Sequence, residues 1–198
     1  MLKKNKLLLL ITLIICLEGI IFGWAIWTTE TDFVFDKCAR NSGRVSSLIN
    51  LLIICMIGYY GLKKIYRDDR KKDLFRILMT GFTVNHLIHF FFVSQNFKSH
   101  DLILSISENL HGFITFIFIV IIPVILWSVK RLTTLLYVFI PLHLMNVSYF
   151  IMETFYSKVK PGSPAYHNQL GILVTSIAIL YMLYRTIREN AGSAGSLK

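Results

Sequence analysis

Long apolar runs alternate along the chain with short polar breaks in which most of the basic residues fall. A run near twenty residues with almost no charge crosses the hydrocarbon core of a bilayer as a helix rising about 1.5 Å per residue. Such runs can be drawn at Leu7 to Trp27, Val45 to Leu62, Leu74 to Val93, Leu110 to Trp127, Leu132 to Met152 and Tyr166 to Tyr184. The pattern predicts an all-α fold, a polytopic membrane helix bundle with six transmembrane helices in one domain over residues 1–190. The last stretch, 191–198, reads AGSAGSLK and is expected to be a flexible tail or the scar of an expression linker. The basic start MLKKNK resembles the flank of a signal peptide. The apolar run behind it is too long for one and no small-x-small cleavage site follows, so a retained first span is expected.

Composition agrees with a bilayer as solvent: 55% of the 198 residues are hydrophobic and mean hydropathy is positive. A formal charge of +10 would suggest nucleic acid. Once the spans are removed no soluble basic face remains, and that class is excluded. The cations instead set orientation. With the N-terminus in the cytoplasm, the outer segments hold only Lys37, Arg40, Arg44, Lys98, Lys158 and Lys160 of the 21 basic residues, which predicts both termini cytoplasmic. Of the cysteines, Cys16 and Cys55 fall in apolar runs as small hydrophobes and Cys38 is expected to be wet, so no disulfide framework is expected.

The third run, FRILMTGFTVNHLIHFFFV, carries two imidazoles where an unsatisfied polar group costs several kcal/mol. Three residues apart, His86 and His89 share one side of a helix. Depth singles out a partner. His89 lies roughly 20 Å along its helix from Arg76, and His143 roughly 18 Å along the fifth span from Arg131, which places the two at one level. Neutral imidazoles from facing helices are the ligands of a b-type haem, and Pro141, two residues before His143, removes a backbone donor and opens room for a planar group. The expectation is one bis-histidine haem, with His89 and His143 as iron ligands and His86 as an alternative ligand or a packing residue. Glu18, in the middle of the first span, is protonated or paired. It serves a proton path or a quinone site, or else packs through a hydrogen bond to Asn85 or a hydroxyl. His111 lies near a propionate or an outer-face substrate, or is an ordinary interfacial residue.

Several of these features together resemble the ferric reductase-like transmembrane family of haem b membrane proteins. ARNSGRVSSLINLL, before and within the second run, is similar to the family's Arg-x-Ser/Thr-Gly start of that helix. Arg76 followed by His89 looks like its basic start and haem-ligand spacing. LHGFITFIFIVIIPVILWS resembles its Pro-containing span, and LTTLLYVFIPLHLMNV its histidine-bearing fifth span. The resemblance covers roughly residues 38 to 150. It implies electron transfer across the plasma (inner) membrane of a bacterium, from a quinol or a separate reductase, since no Gly-rich dinucleotide motif is present. The outer acceptor would be ferric iron, another metal chelate or a partner protein. Arg44 would hold haem propionates or an anionic chelate, unless it is simply a solvated loop charge. Two rival readings stay open. One is a non-haem metal enzyme using His86, His89, His111 and His143, with Glu108 nearby. The other is a cofactor-free transporter or scaffold with a polar His/Glu cavity.

Overall fold

The computed structural model describes residues 2–102, 107, 109–157 and 166–194. Among the described residues there is no strand, and seven α-helices follow one another: α1 (Leu2–Thr28), α2 (Val34–Tyr60), α3 (Leu62–Arg67), α4 (Asp69–Ser99), α5 (Leu110–Ser128), α6 (Thr134–Ser157) and α7 (Tyr166–Ala194). A single 3-10 turn at Thr31–Phe33 links α1 to α2. All but α3 are long and apolar enough to cross a membrane, so the chain is an all-α integral membrane protein.

The helices outrun the apolar windows because helix formation continues through polar residues that hydropathy leaves out. α2 begins at Val34 rather than Val45, and its first turns are held by an Arg40–Asp36 ion pair at 2.6 Å, one helical turn apart. This early start corrects one expectation. It carries Cys38 into a core with Ala25, Val34, Ala39 and Phe92, so Cys38 is buried, while Cys16 and Cys55 are the exposed thiols on helix surfaces. α4 begins at Asp69 behind an N-cap: Oδ1 of Asp68 accepts the backbone N–H groups of Arg70 (2.9 Å) and Lys71 (3.2 Å). Hydrogen bonds from Lys71 hold the Asp68 carboxyl below the usual aspartate range. Between α2 and α4 the chain turns at Gly61, whose φ of 81° favours glycine, and forms the short α3. α7 runs to Ala194, so 191–194 are helical rather than tail, and 195–198 lie outside the described residues.

The chain divides into two compact units, Met1–Ile49 with Arg76–Ser128, and Asn50–Phe75 with Val129–Lys198. In the first unit α1 meets α4 where Gly81 leaves room for Leu10 and Ile14, and Phe22 stacks on Phe92 with ring centroids 6.1 Å apart. α4 is tied to α5 by the Thr83 hydroxyl, which donates to the Ile119 carbonyl (2.6 Å), and by Trp127, whose indole N–H reaches Thr80 (2.9 Å). In the second unit α6 and α7 pack around Ile140, Leu144 and Met182, and the Tyr137 hydroxyl donates to the Thr186 carbonyl (2.6 Å). Leucines and isoleucines such as Leu13, Ile20, Leu135 and Leu180 stay exposed, as lipid-facing side chains should.

Candidate functional site

In a bilayer a polar side chain must find its partner inside the protein, so a cluster of buried polar groups marks a built feature. The first unit contains one, assembled from α1, α2 and α4. Glu18 on α1 is 3% exposed. Its Oε1 accepts hydrogen bonds from the Ser42 hydroxyl on α2 (3.0 Å) and from the Asn85 amide on α4. Ser46, one turn beyond Ser42, donates its hydroxyl to Oδ1 of Asn85 at 2.6 Å. The same Ser46 oxygen lies 3.4 Å from Nδ1 of His86. With its one proton committed to Asn85, Ser46 can only accept there, so in this contact His86 carries the proton on Nδ1 and keeps Nε2 as its basic nitrogen. A continuous chain thus runs Glu18, Asn85, Ser46, His86. Among the described residues, Oε2 of Glu18 is buried with no hydrogen-bond partner.

His89 stands one turn along α4 and enters the cluster by a different route. A Cβ built on Gly43 would lie 3.1 Å from Cε1 of its ring, so the bare backbone at Gly43 is what seats this imidazole against α2. The His86 and His89 rings are 5.3 Å apart and tilted by 49°. Phe82 and Phe116 flank His86 at 5.4 and 6.1 Å, and Phe90 stacks on Phe116 at 4.7 Å, closing the pair in with aromatic surface. The pair therefore offers imidazole nitrogens beside aromatic side chains, donors of the type that hold a b-type haem. Both rings come from one face of one helix. They cannot oppose each other across an iron, so at most one of the two is an axial ligand of a given haem.

The sequence-expected residues divide as follows. Glu18, His86 and His89 come together, and the hydrogen bond from Asn85 anticipated for Glu18 is present. His143 belongs to the second unit, 6% exposed, with its ring parallel to Phe139 (13° between planes, 6.2 Å) on an α6 that contains Pro141 without interruption. Arg44 is exposed and donates to Oδ1 of Asn41 (2.9 Å), and Arg40 pairs with Asp36. His111 is exposed in the first turn of α5. Among the described residues no three or more His, Cys, Asp or Glu side chains are grouped to hold a metal ion. Glu108, Lys158 and Lys160 lie outside the described residues. Ser42 and Ser46 went unnoticed in the apolar pattern. The signal was there: with Asn50, whose amide donates to the Ser148 hydroxyl in the second unit (2.8 Å), they repeat every four residues and mark a polar stripe on α2. Comparison with protein-family models, curated proteins and solved structures finds no match to this chain.

Proposed function

We propose that this chain is a membrane b-type cytochrome of ferric reductase-like kind, passing electrons across the plasma membrane of a bacterium with both termini in the cytoplasm. One observation carries the reading. The Ser-Gly pair of the Arg-x-Ser-Gly motif, on α2, lies against the histidine helix: Ser42 holds Glu18, and Gly43 seats His89. Two parts of the chain that carry the resemblance separately thus serve one local arrangement. His89 is the ligand assigned in the first unit and His143, a buried imidazole in an apolar setting, the one assigned in the second. Haem, when bound, supplies the reversible one-electron couple that these side chains lack.

The residues around it have separate tasks. Gly43 fixes where the His89 ring stands, while Phe82, Phe90 and Phe116 keep water from the imidazole pair. His86, bonded back through Ser46 and Asn85 to Glu18, holds protons beside the pair rather than iron. Electrons arrive from a quinol or a separate reductase and leave to ferric iron, another metal chelate or a partner protein. The test is an absorption spectrum of the purified protein, expressed with haem and iron supplied, beside His86→Ala, His89→Ala and His143→Ala. A Soret band that disappears in the second and third variants and persists in the first supports the assignment. Gly43→Ala, which displaces the His89 ring by a few tenths of an ångström, should shift that band without abolishing it. A folded, colourless wild type overturns the proposal.

A further inference from the structure

Away from the histidines, the second unit carries a cavity of about 500 Å³, half open to its surroundings, lined by residues from α3, the start of α6 and the end of α7, with Arg67, Arg131, Thr133 and Thr134 exposed at its mouth. Its cations are Lys63, Arg67 and Arg131, and its hydroxyls include those of Thr133, Thr134 and Tyr137. The volume falls within the range of small-molecule sites. In sequence these cations belong to two separate connections and look like ordinary charges that orient the chain in the membrane. The fold brings them to one cavity.

We propose that this cavity binds the phosphate group of an anionic ligand. Three features support it. Arg67 and Arg131 make no ion pair among the described residues, so two planar guanidinium groups, the natural partners of phosphate oxygens, remain available at the wall. Lys63 is held in place: its ammonium donates to the Glu189 carbonyl and to Oδ1 of Asn190 (3.3 Å each) and lies 4.9 Å from the Tyr137 ring centroid. The positive end of α6, where the Thr133 hydroxyl accepts the Leu136 N–H (3.2 Å), opens at the same place. Two acids stand close, in the chain or by contact: Asp68, which follows Arg67 and is paired with Lys71 (2.7 Å) outside the lining, and Glu189. Glu189 is not part of the lining, and its Oε2 accepts the Lys63 backbone N–H (3.2 Å). Basic pockets at the membrane edge of helix bundles commonly take lipid headgroups, and a soluble phosphate presents the same oxygens.

The experiment is thermal unfolding of the detergent-purified full chain, titrated in one arm with cardiolipin against phosphatidylcholine and in the other with inorganic phosphate. The test pair is Arg67→Gln with Arg131→Gln. The control pair is Lys64→Gln with Lys130→Gln, which removes the same charge from exposed positions outside the cavity. The midpoint should rise with an anion in wild type and control, and the test pair should need roughly 30-fold more ligand for the same rise, at about fivefold for each cation removed. Each single arginine variant reads the fivefold step if the pair folds poorly. Response to cardiolipin alone assigns a lipid headgroup. Response to inorganic phosphate assigns a site open to soluble phosphates. No response to either probe, or an equal loss in the control pair, overturns the proposal.

Discussion

Replacing Glu18 separates two accounts of why a carboxyl stands in the middle of a membrane helix. In Glu18→Ala the Ser42 hydroxyl and the Asn85 amide both lose their shared acceptor in a place without water. An orphaned buried donor costs about 1–3 kcal/mol, but hydrogen bonds between membrane helices measure nearer ~0.6 and seldom above ~1.7, because the lipid-embedded unfolded state also finds partners. Two such losses plus the void left by the side chain come to roughly 2–4 kcal/mol. Glu18→Gln behaves differently. Its carbonyl keeps both bonds at the Oε1 position, and the new amide nitrogen takes the place of Oε2, which has no partner to lose. The added buried donor costs something, the removed ionisable group returns something, and the net should fall within about 1 kcal/mol of wild type. Unfolding of the detergent-purified variants at one fixed temperature gives the comparison as rates, which irreversibility does not spoil. Asn85→Ala, alone and combined with Glu18→Ala, should show a coupling of about 0.5–3 kcal/mol because the two side chains share a bond. A Glu18→Gln protein as unstable as Glu18→Ala would refute the reasoning, since the cluster would then require a negative charge and hence a cation. A Glu18→Ala protein indistinguishable from wild type would show that the hydrogen bonds contribute nothing.

The turn and cap between α2 and α4 give two further expectations. Gly61→Ala should destabilise the protein by more than about 2 kcal/mol, because a Cβ at φ 81° is strained and would also collide with the Glu189 carboxyl; thermal unfolding checks it. The lowered Asp68 carboxyl means that its cap is fully engaged above the ordinary aspartate range and is lost as pH falls through the native value. Amide exchange at Arg70 and Lys71 should therefore accelerate, beyond its intrinsic pH dependence, at acid pH in wild type. In Asp68→Ala the protection should be missing at every pH, and in Asp68→Asn, which caps without titrating, it should persist into acid.

The number and order of the spanning helices were legible because a bilayer imposes one requirement, an apolar length, that each segment meets by itself. Helix ends were not, because they depend on local contacts and packing that hydropathy does not weigh: α2 starts at Val34, with the Asp36–Arg40 pair in its first turns and Cys38 packed into a core instead of standing wet as expected. The histidines show the same division. Counting residues places His86 and His89 at a depth where they need a reason, but only packing shows that they differ, His86 bonded into a chain that ends at Glu18 and His89 resting on Gly43. Glu18 and Asn85 could be paired in advance as two costly residues in search of each other. Ser42 and Ser46 could not, since serine is tolerated singly in membrane helices, and their meaning lies in a four-residue repeat that turns one face of α2 toward both. Replacing that repeat by alanine would only make the span more apolar while removing the partners of a carboxyl and an imidazole, so the identity of this site resides in polar residues that a search for apolar length passes over.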